Sequence, residues 1–318
     1  MPADRLVLRK FDLTSQFSIL TYKTMKNLSD IKHRITGISQ TRQITGAMEM
    51  ISVAKMRRAL QRFAGNQAYF NKVRATIAQI IRHSVGIEHR YWRPKHGGRA
   101  AYIVIASDKG LAGGYNNNVL NFAWKQIRES GHTERRIFTV GQMAREFFER
   151  KGAPIDAEFM HATYNPTLKD AAGIVDTVVG LYEKDFMDEV YIVYTGMENS
   201  STMKPEIIQL LPLAPAEIAG GAGGGASGGG ETFTELFYDP GPDEVLETLV
   251  PQYLIGVVYG CLIQSVAGEH SSRVQAMSNA TKNADDILDR LNVVYHRARQ
   301  EAVTNEMLEI ITSANSVN

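Results

Sequence analysis

Two stretches near the ends of the chain, Ser29 to Ser84 and Gln252 to Ser313, each run for more than fifty residues without a proline. In the first, apolar or small residues recur three or four positions apart: Ile31, Ile35, Ile38, Met48, Met56, Ala59, Phe63, Phe70, Val73, Ile77 and Ile80. That spacing places them on one face of a single long amphipathic helix. Ser29 is its expected N-cap, and Gly37, Gly46 and Gly65 each cost about 1 kcal/mol relative to alanine without ending it. At 1.5 Å per residue such a helix is roughly 80 Å long, too long for the inside of a compact domain. The second stretch repeats the pattern with Leu254, Val257, Cys261, Ala280, Ala284, Ile287, Leu291, Val294, Ala298 and Leu308.

The charges of the two helices are opposed. Between Met25 and Ser84, eleven Lys and Arg face only Asp30 and Glu49, a balance of +9, whereas from Asp243 to the end ten acids outnumber five bases, a balance of −5. Opposite signs favour packing one helix on the other, and a compact segment between their inner ends makes the antiparallel arrangement the easy one. One stripe per helix is buried in a two-stranded coil, so residual apolar side chains such as Met48, Ile51 and Met56 point to a further partner.

Between the helices the period changes. Ala100 to Ala106, Arg136 to Val140 and Glu189 to Tyr194 are short β-branched and aromatic runs, separated by helical patterns around Asn118 to Glu129, Met143 to Lys151 and Leu168 to Lys184. The alternation predicts a mostly parallel, Rossmann-like α/β sheet, with Ile207 to Leu213 as an added edge strand. The predicted fold class is therefore α/β: an antiparallel two-helix coiled coil from the chain's ends plus this α/β domain. Expected boundaries are 1–24 for an extension or a misplaced start, 25–90 and 243–318 for the coil helices, and 98–240 for the α/β domain. Residues 219–230 form a glycine-rich loop with no core-forming capacity.

Composition closes several doors. With 35 basic and 34 acidic side chains the chain is no polycation, and the single cysteine, Cys261, excludes an internal disulfide and a cysteine-based zinc cage. No apolar run approaches the ~20 residues of a membrane span, and the nearest, Tyr253 to Ile263, is interrupted by Gly256 and Gly260. The first 24 residues lack the continuous apolar core of a secretory signal.

Four motifs have tempting readings. Ser107 to Asn116, SDKGLAGGYN, follows the best strand and could offer backbone N–H groups to a phosphate, yet Gly110, Gly113 and Gly114 fit no dinucleotide or P-loop spacing, and a tight turn needing positive φ accounts for them. Asp285, Asp286 and Asp289 imitate a magnesium–diphosphate motif but lack a facing carboxylate cluster; Lys282–Asp286 and Asp286–Arg290 make a solvated salt-bridge face. Glu269-His270 is only a fragment of a zinc-protease pattern, and His83, His89 and His96 read as surface residues. Lys55, Arg57 and Arg58, with Arg62 a turn on, form a basic cluster better suited to an acidic protein than to nucleic acid, since no aromatic stacking pattern accompanies them.

Ile44 to Arg58 (ITGAMEMISVAKMRR), the SDKGLAGGYN turn and the run from Glu269 to Glu309 resemble, in the same order, the gamma subunit of F-type ATP synthases. The resemblance spans Met25 to Asn318. It implies a central rotor shaft, not itself an enzyme, turning inside a ring of three alpha and three beta subunits, with the α/β domain meeting the epsilon subunit and the membrane c-ring. It implies no cofactor, no nucleic acid, no membrane span of its own, and a peripheral place at the cytoplasmic face of a bacterial-type inner membrane. By the same resemblance Met48 meets the beta subunit's acidic lever loop, Lys55, Arg57 and Arg58 lie further along that basic helix, and Arg273, Gln300, Thr304 and Glu306 serve coupling and rotor–stator contact. Two other readings of the residues remain open here: a nucleotide-binding α/β enzyme that dimerises through its coil, and a coiled-coil nucleic-acid adaptor.

Overall fold

The computed structural model describes residues 28–83, 89–93, 95, 97–199, 202–214, 218 and 241–316. The expectations for residues 1–24, for the loop 219–230 and for His96 lie outside the described residues. The chain divides into two compact units, one built from the described residues up to Glu49 and from Met277 onward, the other from Met50 to Ala276.

Helix α1 spans Leu28–His83 and the last helix, numbered α5 below, spans Pro242–Ser316, 56 and 75 residues respectively. Both contribute to each unit. In the first unit the Thr45 and Thr281 hydroxyls are 2.8 Å apart and Arg42 pairs with Asp285. Moving up α1 therefore means moving down α5, and the two helices pack antiparallel, with Ile31, Met277, Ala284 and Leu291 buried. The ion pair at the aspartate-rich segment thus runs across the helix pair, and not along α5 as the i,i+4 pattern suggested.

The second unit shows the same antiparallel sense. Tyr69 donates to Gln252 Oε1 at 2.9 Å, and Phe70 and Phe63 lie over Gly256 and Gly260. These glycines, expected to interrupt the apolar run, lie inside a continuous helix; a Cβ at Gly256 would fall into the Phe70 ring. α5 contains a stretch of mean hydropathy 1.5, long and apolar enough by composition to cross a bilayer, and 56% of it is buried. Leu246, Val250, Leu254, Val258 and Leu262 are spent on the core of this unit.

The sheet follows the predicted alternation: β1 Arg99–Ile105, α2 Tyr115–Glu129, β2 Glu134–Val140, α3 Gln142–Arg150, β3 Ala157–Phe159, α4 Leu168–Glu183, β4 Glu189–Asn199 and β5 Thr202–Leu211. Strand order is β3-β2-β1-β4-β5, parallel except for β5, which runs antiparallel to β4. Because side chains alternate across a strand, Ala100, Tyr102 and Val104 meet α2 and α3 on one face, while Ala101, Ile103 and Ile105 meet α4, α1 and α5 on the other. Thr167 and Asp170 close a capping box that starts α4. β1 pairs with β4 only as far as Val193. Beyond it the Thr195 and Met197 N–H groups donate to Ser265 Oγ and Gln264 Oε1 of α5 at 3.4 and 3.1 Å, so the helix finishes what the strand leaves unpaired.

Cys261 is buried, and burial pushes its thiol well above the ordinary range. At the other end of the sheet, Asp188 is buried and accepts from Arg99 N at 2.9 Å and Arg99 Nη2 at 2.7 Å, tying the starts of β1 and β4. Hydrogen bonding to Arg99 holds its carboxyl below the usual value against the opposing effect of burial. A depressed folded-state pKa contributes stability that is present above the unfolded pKa and is lost as pH falls through the folded one. Denaturant midpoints should therefore drop as pH falls below about 4, and Asp188→Asn should lower the neutral-pH midpoint and remove part of that acid slope.

Candidate functional site

The SDKGLAGGYN turn is assembled from its own polar side chains. Asn116 Oδ1 accepts from Ser107 N at 3.0 Å, and Ser107 Oγ lies 2.9 Å from that oxygen and 2.7 Å from Lys109 O. Asp108 accepts from the Gln142 N–H at the start of α3 and from the Thr163 hydroxyl, at 3.2 and 2.9 Å. Leu111 and Gly113 have φ of 62° and 57°, so the expected left-handed turn is present, with a leucine as well as a glycine in it.

The turn docks on α5. Ser272 donates to Ala112 O at 2.7 Å, and Arg273 Nη2 donates to Gly110 O at 3.0 Å and Lys109 O at 3.3 Å. The same guanidinium pairs with Glu269 at 2.6 Å and lies 3.1 Å from His270 Nδ1. These carbonyls converge on a cation, the reverse of a loop that cradles phosphate with N–H groups.

Glu269, His270 and Arg273 are 7%, 6% and 7% exposed. Burial lifts the Glu269 carboxyl, with Arg273 opposing part of that rise. Burial, then the charges of Arg273 and Lys55, lowers His270 to about 4, so its ring is neutral at physiological pH. Glu269-His270 is thus part of a buried clasp. Its sequence signal was the i,i+4 spacing of Glu269 and Arg273. Among the described residues no group of three or more His, Cys, Asp or Glu is placed to hold a metal ion. His89, expected at the surface, is 4% exposed and packs against Trp92.

The structure brings some of the anticipated residues together and leaves others apart. In the second unit Lys55, half-buried, lies 4.4 Å from the Tyr164 ring, its charge reaching Glu269 and His270; Arg57 and Arg58 are exposed beside it on α1. Arg273 is wholly engaged in the clasp. Met48, in the first unit, is half-buried, between exposed Ile44 and the Glu49 that ends its segment. Gln300, Thr304 and Glu306 are exposed on α5, where the Thr304 hydroxyl donates to Gln300 O at 2.9 Å.

Ile287 and Leu308, expected on the packed stripe, are 38% and 54% exposed. For Leu308 the register explains it: with Arg42 opposite Asp285, the described part of α1 ends before α5 does. Val303, Met307, Leu308, Ile310 and Ile311 consequently face solvent.

Antiparallel helices from the two ends of the chain, with a Rossmann-like α/β module whose turn is clasped by one of them, define the class as a coiled-coil α/β protein. The family model described as ATP synthase matches residues 27–317. The ATP synthase gamma chain of Ruminiclostridium cellulolyticum is 39% identical over 294 residues, covering 92% of this chain and 99% of the relative. Two chains of the Euglena gracilis mitochondrial ATP synthase share the fold: one from its rotor, with TM-score 0.58 and 15% identity over 87% and 98% of the two chains, and one from its OSCP/F1/c-ring assembly, with TM-score 0.62 and 16% identity over 91% and 94%. The chain belongs to the ATP synthase gamma chain family.

Proposed function

We propose that this chain is the central shaft of a rotary, membrane-associated ATP synthase, coupling ion-driven rotation to ATP synthesis and hydrolysis without bond chemistry of its own. Its partners are three alpha and three beta subunits around the helix pair, with the epsilon subunit and the membrane c-ring at the α/β module. The complex holds it at the cytoplasmic face of the membrane. The observation that carries this reading is the far end of α5, where every residue from Glu301 to Ser313 is exposed although Val303, Met307, Leu308, Ile310 and Ile311 are apolar. A helix that stays soluble with such a surface needs a sleeve. A shaft acts by favouring one conformation of each surrounding subunit at each angle, which requires surface contacts and not a pocket.

Met48, Lys55, Arg57 and Arg58 are the contacts assigned to an acidic partner, Gln300, Thr304 and Glu306 those assigned to the sleeve, and Arg273 transmits load between the clasped turn and α5. Native mass spectrometry of the protein released from its own membranes should show one copy with three each of two larger chains; a free homodimer holding a nucleotide would defeat the shaft reading. Truncation before Asn305 should change the unfolding free energy of the isolated chain by less than about 0.5 kcal/mol, because the residues from Asn305 to Ser313 are exposed. In the reconstituted complex it should leave assembly intact and lower the torque measured from single rotors. Loss of assembly would make the tail a structural anchor.

A further inference from the structure

Lys55, Arg58 and Arg62 stand at i, i+3 and i+7 on α1, one face of that helix, and open on a cavity of about 330 Å³ within the second unit. Its opposite wall is the Tyr164-Asn165-Pro166 segment that leads into α4, and its floor is Ile263, Val266 and His270 of α5. The lining contains three cations and no carboxylate. The nearest buried carboxylate, Glu269, is already paired with Arg273. Among the described residues neither Lys55 nor Arg58 forms an ion pair, and the Arg62 guanidinium donates only to the neutral Asn165 amide.

The polarity of the wall is therefore one-sided. His270 adds to it: its Nδ1 lies 3.1 Å from Arg273 Nη1, which has only protons to offer, so the ring proton sits on Nε2 and the imidazole is a neutral donor. Tyr164 carries the Lys55 ammonium over its ring at 4.4 Å, which holds that side chain at the mouth.

We propose that this cavity binds a condensed phosphate group, the diphosphate or triphosphate of a small anion. From residue 55 to residue 62 the cations spread over roughly 10 Å of helix axis, more than the two oxygens of one carboxylate can bridge. A chain of phosphoryl groups offers oxygens along that length, and guanidinium forks match them. The volume lies near the lower end of the roughly 300–1,000 Å³ of small-molecule sites, which suits a phosphate chain better than a whole nucleotide. The inference goes beyond the shaft reading and does not depend on it, because the site lies within one unit of the isolated chain.

The test is calorimetric titration of the full-length chain at low ionic strength with pyrophosphate, ADP and glutarate. Pyrophosphate should bind at one site, and Arg62→Gln should weaken it about tenfold, the effect of losing one charge-assisted hydrogen bond. Arg57→Gln removes the same charge from the same helix but does not line the cavity, and should change affinity less than about twofold. Circular dichroism of both variants confirms that they fold. ADP binding more tightly than pyrophosphate would support the site with a nucleotide tail as the source; equal or weaker ADP binding would support it with a free condensed phosphate. Absence of pyrophosphate binding, equal losses in the two variants, or glutarate binding as tight as pyrophosphate would each overturn the proposal.

Discussion

Arg273→Met should destabilise the α/β module by about 3–5 kcal/mol, the cost of leaving a buried charge without its partner. Two things happen at once when the guanidinium goes. The Glu269 carboxylate, 7% exposed, loses the cation 2.6 Å away, and the Lys109 and Gly110 carbonyls lose their donor. Thermal or denaturant unfolding of the variant measures the sum.

The pH dependence separates this account from mere loss of packing. Burial already raises the Glu269 carboxyl, and without Arg273 only the more weakly acting charge of Lys55 still opposes that rise. A raised folded-state pKa means stability that is present below the unfolded value and lost as pH climbs through the folded one. The variant should thus recover part of its loss as pH is lowered towards about 5, and the Glu269→Gln, Arg273→Met double variant should be more stable than Arg273→Met at neutral pH. A loss independent of pH, unrelieved by Glu269→Gln, would show that the clasp is not electrostatic.

The long helices and the strand–helix alternation were legible because their signals are periodic and long. Ile77 and Ile80 are buried where the three/four spacing put them, and Ala100 to Ala106 alternates faces as a parallel strand should. The three residues of β3 carry no period, and only pairing of Phe138, Thr139 and Val140 with Ala157, Glu158 and Phe159 reveals them. β5 begins at Thr202, five residues before the expected Ile207, because Met203 to Glu206, largely polar and containing Pro205, lack the apolar run of a strand yet pair with the extended end of β4. The turn was recognised as a turn, but nothing local says that its carbonyls face Arg273, some 160 positions away. The cation–cavity arrangement was hidden for the same reason. The basic cluster on α1 reads as a contact for an acidic protein, and nothing in its own spacing says that Tyr164 and Asn165 stand across from it.

Gly256→Leu costs about 3 kcal/mol or more in the same module, and the reason lies in the partner helix. A Cβ at Gly256 already falls within the Phe70 ring, so even alanine must push that ring aside; its better helix propensity returns only about 1 kcal/mol of the loss. Gly260 is different, since its Cβ would stand 3.6 Å from Phe63, an ordinary contact. Gly260→Ala should therefore be neutral or stabilising by up to about 1 kcal/mol, which controls for helix propensity. The sharper test is a double-mutant cycle. Phe70→Ala alone should cost about 2 kcal/mol, since the ring is half-buried, and it vacates the space that leucine at 256 needs. The two changes together should then cost less than their sum by more than about 1 kcal/mol. Strict additivity would mean that the helices do not meet at this glycine, and the antiparallel register through Phe63 and Phe70 would have to be redrawn. If coupling appears, the apolar run around Gly256 is a seam shaped for one aromatic ring of α1, and its bilayer-like hydropathy is the ordinary consequence of being buried on several sides.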